Sequence, residues 1–375
     1  MNKAYKYRLY PNKEQEVLFA KHFGHARHVY NWALATKKAH FEEHGKSLSR
    51  FELQKQMVVS KKTTKVWLAE VNSQTLLAAL ANLDVAFRNF CRKNAGYPRF
   101  KSKKDSCQSF QCPQHVFVDR EKGIITLPKI RGIKAKIHRS FEGNIKTCTI
   151  SKTAAGHYYI AILVEDGKSI PEAANIDPSS TIGIDVGLTN FLVLSDGRKE
   201  GNLRFLGKSL RNLRKRNRQL ARCKKGSSNR TKKKLNVAKV HDQITKQRRF
   251  FHQNIANKIV NDIQVDTIAF ENLNIKGMMK NKKLARHIAD VSWASFVNIV
   301  QYKAAWAGKN IIFCSRFAPS SKACSCGEIN SKLKLSERQW QCNACLVSHD
   351  RDILAANNIK AFALQNLDSQ LATMR

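Results

Sequence analysis

The chain has 375 residues, room for two or three domains at roughly 150 residues each, and its 42% apolar content is enough to bury a core in each. Lys and Arg number 67 against 28 acids, and the resulting charge of +39 opposes compaction by self-repulsion unless a polyanion neutralises it. That balance points to nucleic acid rather than a small acidic substrate. No stretch approaches the roughly 18 uncharged apolar residues of a membrane span, and the charged opening MNKAYKYRLYPNKEQ lacks a signal peptide's apolar run. A cytoplasmic, nucleoid-associated protein without membrane contact is expected, with its ten cysteines reduced.

Residues 4–10 alternate aromatic or apolar with basic residues and then meet Pro11, which predicts a strand with one cationic face. From Lys13 to Lys38 the period changes to a long amphipathic helix carrying Phe19, Phe23, Ala26, Tyr30 and Leu34. A second helix is predicted over 73–92, with Leu76, Leu80, Leu83 and Phe87 on one face. Between Gly96 and Val164 the pattern turns to β, so the first half reads as a β module with a helical insertion after its first strand. Residues 165–180 are polar and turn-rich, and read as a linker.

Next comes Thr181–Gly187, an apolar strand interrupted by Asp185; Phe191–Leu194 then meets an Asp196–Gly197 hairpin turn. Residues 201–241 hold fifteen Lys or Arg and no acid, as long basic helices broken near Gly226–Ser228. So dense a run would repel itself without a phosphate backbone to neutralise it, and steeply salt-dependent binding is expected. Its candidate nucleic-acid contacts are Arg211, Arg214, Lys215, Arg216, Arg218 and Arg222, then Lys224, Lys225, Arg230, Lys232, Lys233 and Lys234. A second apolar strand ends at Glu271, a third spans 310–314, and a final helix starts near Asp350.

Asp185, Glu271 and Asp352 are the sharpest signal. Two carboxylates in apolar strands and one opening a helix are costly unless something compensates them. Converging at a sheet edge, they would hold two hard divalent ions about 3.5–4 Å apart, the arrangement used for phosphodiester hydrolysis. The plainer alternative is three strand-end acids pairing with some of the many cations. Cys324, Cys326, Cys342 and Cys345 have the two-pair layout of a structural zinc ribbon, with no coordination position left open for substrate. His22, His25 and His28 recur on one helix and are expected to line a polar or RNA-facing surface, with a metal clasp as the alternative. Cys107, Cys112 and His115 lack a fourth ligand. There is no phosphate-binding loop for nucleotide hydrolysis and no visible recombinase nucleophile.

In order and spacing, several motifs resemble the TnpB family, the OrfB-type proteins of bacterial insertion sequences, along essentially the whole chain. They are Lys6–Pro11 with Ala26–Trp32, Gly96–Lys103, Gly183–Gly187, Phe270–Leu273, Leu284–Arg286 with Asp290 and Trp293, Pro319–Lys322, and His349–Asp352 with Ala355–Asn357. The resemblance implies a multidomain α/β and α+β chain. A β-barrel wedge domain (1–12 and 96–170) would carry a helical recognition insert (13–95). An RNase H-like RuvC nuclease domain (178–375) would contain an inserted zinc ribbon (318–348). It also implies an RNA-guided DNA endonuclease related to type V CRISPR effectors, probing double-stranded DNA beside a short motif with a guide RNA from the end of its own element. Asp185, Glu271 and Asp352 fall on the family's catalytic carboxylates, with two magnesium ions implied; Asp350 is left as a helix cap or supporting partner. A monomer is expected. The chain departs from the family at Cys324-Ser325-Cys326, one residue short of the usual Cys-x-x-Cys, and at Leu346, where Gly is usual. A guide-bound DNA-binding repressor and a guide-free structure-specific nuclease are the competing functions.

Overall fold

The structure is a computed structural model that describes residues 1–334 and 336–373, with side chains to residue 367. Leu335, in the expected ribbon, and the last two residues of the expected nuclease domain lie outside the described residues. The chain divides into two compact units, Met1–Ser169 and Ile170–Arg375, and the boundary falls inside the turn-rich segment expected to be a linker. No described helix is long and apolar enough to cross a membrane.

The first unit opens with β1 (Asn2–Tyr10), whose alternation buries Tyr7 and Leu9 and leaves Lys6, Arg8 and Tyr10 on the other face. Three helices follow: α1 (Lys13–His44), α2 (Arg50–Lys62) and α3 (Ser73–Cys91). Asn12 and Ser49 close capping boxes with Gln15 and Glu52, which fixes where α1 and α2 begin. Gly45, at φ +66°, ends α1 in the left-handed conformation that glycine adopts without penalty. The β segment supplies β2 (Cys107–Cys112), β3 (Phe117–Asp119), β4 (Ile124–Leu127), β5 (Ile130–Lys136), β6 (Asn144–Thr153) and β7 (Tyr158–Glu165). With β1 they form one seven-stranded antiparallel sheet in the order β2-β6-β7-β1-β5-β4-β3. Its ends are β2 and β3, and among the described residues no ladder joins them.

The histidine expectation is overturned here. His22 and His25 are buried, not surface groups: His22 lies 4.9 Å from the Phe110 ring, and His25 packs edge-on against Trp67 at 4.6 Å. Their Nδ1 atoms meet the carbonyls of Leu18 and Lys21 one turn back. The His22 ring packs between α1 and β2, and the His25 ring between α1 and the helical turn Val66–Glu70, where its Nε2 meets the Trp67 carbonyl. Their spacing put them on the apolar face of α1, which composition by itself does not reveal.

The second unit is built on a five-stranded sheet ordered β10-β9-β8-β11-β12. Its strands are β8 (Thr181–Val186), β9 (Asn190–Leu194), β10 (Lys199–Gly201), β11 (Thr267–Glu271) and β12 (Asn310–Cys314). The first three in sequence form an antiparallel meander, and β11 and β12 run parallel to β8. Two long helices, α4 (Phe205–Ala221) and α5 (Ser228–Val260), form a hairpin with Ser227 capping the second. Then come α6 (Ile275–Met278), α7 (Ala285–Val291) and α8 (Trp293–Trp306); after the cysteine segment and its hairpin of β13 (Gln339–Gln341) and β14 (Ser348–Asp350), α9 (Arg351–Thr373) finishes the chain.

Period-two alternation gives the sheet two different faces. Ile182, Ile184, Ile268 and Phe270 join one core with Ile255 and Ile259 of α5 and Phe296 and Val300 of α8. Ala269, Ile312 and Cys314 look the other way and pack with Ile359 and Ala363 of α9. Gly183 lies on this second face, and any Cβ there would sit 2.0 Å from the Ala356 carbonyl oxygen. The absent side chain is what lets α9 cross the sheet in direct backbone contact.

Candidate active site and cysteine cluster

The crossing of α9 over β8 determines where the three acids go. Asp185 lies two residues beyond Gly183 on the α9 face of β8. In the parallel ladder Ile184 pairs with Phe270, so Glu271 comes next beside Asp185 at the carboxyl end of β11. Asp352 lies one helical turn before Ala356, on the side of α9 that touches Gly183. Three residues spread over 168 positions thus converge at the carboxyl ends of two adjacent parallel strands.

Electrostatics registers the convergence. Burial, then the negative charges of Glu271 and Asp352, push the Asp185 carboxyl up to about 7; Arg351 and Arg338 only partly offset them. Burial also raises the Glu271 carboxyl. A group of acids held so that one of them resists ionisation is what a divalent cation relieves, and hard carboxylate oxygens suit magnesium. Asp350 is not a fourth member. Its Oδ1 accepts from the backbone N–H of Asp352 at 3.0 Å and of Ile353 at 3.1 Å, capping α9, while Lys199 pairs with its Oδ2 at 2.7 Å.

One side chain beside the acids carried no signal in the sequence. Arg338, just before β13, donates from Nη1 to Asp352 Oδ1 at 2.9 Å and from Nη2 to Thr189 Oγ1 at 3.1 Å. Fourteen residues separate it from Asp352, and only the hairpin, where Gln339 pairs with Asp350, brings the two together. An arginine in a polar segment carries no periodic signal that would mark it.

The four cysteines are brought to one point. Their sulfurs lie within 4.8 Å of one another, with Cys324 and Cys342 buried and Cys326 and Cys345 exposed. Cys324 Sγ is 3.5 Å from Cys345 Sγ, and Cys326 Sγ is 3.6 Å from Cys342 Sγ. Four thiolates at 2.3 Å from one tetrahedral zinc would be about 3.8 Å apart, so the donor set fits a zinc ion. The Cys326 backbone N–H, and then His349, hold the Cys324 thiol down at about 5. Hydrogen bonding to Cys324 pushes Cys326 up to about 12 against the Glu328 N–H. His349 Nε2 stands 3.0 Å from Cys324 Sγ, a neighbour the two-pair spacing did not announce. The shortened Cys324-x-Cys326 turn closes through Gly327 at φ +94°, while Leu346 takes φ +59° where the second pair turns.

The basic run forms the outer part of the α4–α5 hairpin. Arg211, Arg214, Lys215, Arg218, Arg222, Lys224, Lys225, Lys232 and Lys234 are exposed, as a phosphate-facing surface requires. Arg216 and Lys233 are half-buried. Arg230 is turned inward instead, where its Nη1 donates to the carbonyls of Leu220 and Cys223, each at 3.1 Å, tying off the end of α4. At the other end of α4, Asp290 accepts from the Leu206 N–H at 3.0 Å and from Arg248 at 2.9 Å.

Three family models match the chain: an OrfB-type "Helix-turn-helix domain" over residues 1–46, an OrfB-type "Probable transposase" over 161–282, and a "Cas12f1-like, TNB domain" over 293–359. Over 1–46 the fold is a strand and a single long helix. A Streptomyces pristinaespiralis protein named "Putative RNA-guided DNA endonuclease" is 35% identical over 369 residues, covering 97% of this chain and 90% of its own length. The chain belongs to the TnpB family. A TnpB-family relative from Escherichia coli K12, whose name adds InsQ to the same description, is 29% identical over 96% of this chain and 91% of its own. A solved Cas12f1–sgRNA–target DNA complex shares the fold, with a TM-score of 0.58 at 13% identity over 96% of this chain and 98% of that one. The third family match begins at α8 and ends beyond Asp352, so it takes in the cysteines, Arg338 and the start of α9 together.

Proposed function

We propose that this protein is an RNA-guided DNA endonuclease encoded by a transposable element, cutting double-stranded DNA beside a short element-specific motif. The observation that carries the reading is the Gly183–Ala356 contact, which delivers Asp352 to the strand ends bearing Asp185 and Glu271. These three acids would hold two magnesium ions in a RuvC-type site, and the strand order with helices on both faces supports an RNase H-like domain over 178–375. Bound there, such ions lower the pKa of an attacking water and stabilise the leaving oxygen of a phosphodiester. Asp350 holds the first turn of α9, and Arg338 keeps a cation beside Asp352.

In the same reading Cys324, Cys326, Cys342 and Cys345 hold a structural zinc in a ribbon over 318–348. Residues 1–12 and 96–170 act as the wedge, and 13–95 as the recognition insert. The exposed cations of α4 and α5 run along the sugar–phosphate backbone of a guide RNA from the element's own end or of its DNA target. The complex works as a monomer in the cytoplasm, on nucleoid DNA.

Co-expression with the transcript from the element's end, followed by a plasmid target with a randomised flank and magnesium, tests the reading. Cutting should require the guide and select one flanking motif. Asp185→Ala and Glu271→Ala should abolish it while RNA stays bound, and ribonuclease treatment should abolish it too. Survival of cutting in either variant would remove the metal-site assignment, and survival after ribonuclease would favour a guide-free nuclease.

A further inference from the structure

Phe317 is the least buried aromatic of the chain, with 89% of its surface exposed, in the turn that follows β12. Single exposed apolar residues need no explanation in general. This one stands on a braced turn at the edge that bears the carboxylates. Cys314 pairs with Glu271 across the β11–β12 ladder, and Phe317 follows three residues later. Arg316 Nε donates to the carbonyl of Asn272, the residue after Glu271, at 3.3 Å. The Ala318 N–H closes the turn on Ser315 O at 3.2 Å. On the far side, Asn358 of α9 donates to the carbonyls of Ser320 and Ala323, each at 2.7 Å. The ring is therefore carried on a segment fixed both to the strand of Glu271 and to the helix of Asp352, with the exposed Arg316 charge beside it.

A rigid, solvent-facing aromatic next to a cation is the combination that stacks an unpaired base while neutralising its phosphate. We propose that Phe317 is a strand-positioning residue, stacking on a base of the single-stranded DNA that enters the carboxylate site. The inference rests on the nuclease reading above. It goes further by requiring an unstacked base at a fixed distance from the scissile phosphate.

The test uses full-length, guide-loaded protein with single-stranded oligonucleotide targets. Phe317→Ala should raise KM for cutting about fivefold to a hundredfold, the range for losing one stacked base, with guide binding unchanged. Phe317→Trp should restore KM and Phe317→Leu should not. An abasic nucleotide moved along the strand should reproduce the Phe317→Ala loss at one position only, with no further loss when the two are combined. A second reading needs no cleavage: on an Asp185→Asn background, 2-aminopurine at that position should be quenched by protein carrying Phe or Trp at 317, and not by the Ala or Leu variant. Rescue by Leu equal to Trp, additive abasic and Phe317→Ala losses, or quenching indifferent to residue 317 would each overturn the proposal. A wild-type complex that never cuts overturns the nuclease reading instead, and the quenching arm still decides whether the base contact exists.

Discussion

Arg338 and Asp352 are joined by a 2.9 Å ion pair that links the cysteine-bearing hairpin to the first turn of α9. The guanidinium is half exposed and the carboxylate mostly covered, so the pair is partly screened. Its removal leaves the acids with less compensating positive charge. Arg338→Ala should tighten manganese or magnesium binding about two- to fivefold in calorimetric titration, and should lower the melting temperature before any ion is added. Unchanged affinity would show that Arg338 does not share the field of the site.

Asp185 gives a pH signature with a definite sign. Its carboxyl ionises near 4 in the unfolded chain and is pushed up to about 7 in the fold. The folded state therefore retains a proton that the unfolded state has lost. Stability is highest below pH 4 and falls as pH rises through 7. Asp185→Asn removes this dependence. Without added magnesium the variant should melt higher than wild type at pH 8 and no differently near pH 4, while all cutting is lost. Equal melting at pH 8 would place Asp185 in a far more hydrated setting.

Gly183→Ala tests the crossing itself. The added methyl would meet the Ala356 carbonyl at 2.0 Å, and backbone on both sides has nowhere to yield. A destabilisation of about 3 kcal/mol is expected in denaturant unfolding of the second unit. Cutting should be lost with it, because Asp352 moves with α9. A variant with wild-type stability and activity would separate the acid's position from this contact.

Leu346 is the departure most open to repair. It sits at φ +59°, a conformation that costs a branched side chain about 1–2 kcal/mol, and its side chain is mostly in water. Leu346→Gly relieves that strain but adds about 0.5–1 kcal/mol of unfolded-chain entropy. A net gain of about 0.5–1 kcal/mol in the zinc-loaded protein should appear in denaturant midpoints, with zinc retained longer against a chelator. A loss would mean that the turn depends on Leu346 packing.

Much of the fold and of the acid site was legible in the residues alone. Asp185 and Glu271 interrupt or close runs of Ile, Val and Phe, and period-two alternation places both on one face. Gly226-Ser227-Ser228 marks the break between α4 and α5, and Ser227 caps the second helix. Asp352 joins Asp185 and Glu271 as the acid that opens the last helix, and the family motifs match all three. Other features depend on long-range contacts that no local period encodes. Arg338 and His349 reach their partners only through the hairpin of β13 and β14. His22 and His25 looked polar by type and are core by position. Arg230 reads as one more cation in a basic run, yet it spends its donors on α4 carbonyls. Helix α8 carries Trp293, Phe296, Val300 and Ala304 at helical spacing, a signal present in the residues, whereas α7 is too short to show a period.

The direct passage from β14 at Asp350 into α9 at Arg351 sets different rules for lengthening different parts of the chain. Between Cys326 and Cys342 stand fifteen residues, and residues added at the exposed Ser331–Lys332 turn leave both cysteine pairs and the hairpin register as they are. Between Cys345 and Asp352 there is no such slack. One inserted residue would turn Asp352 about 100° around the helix axis, away from the strand ends that carry Asp185 and Glu271. Related chains and engineered fusions should therefore vary in length on the first side and hold a fixed count on the second.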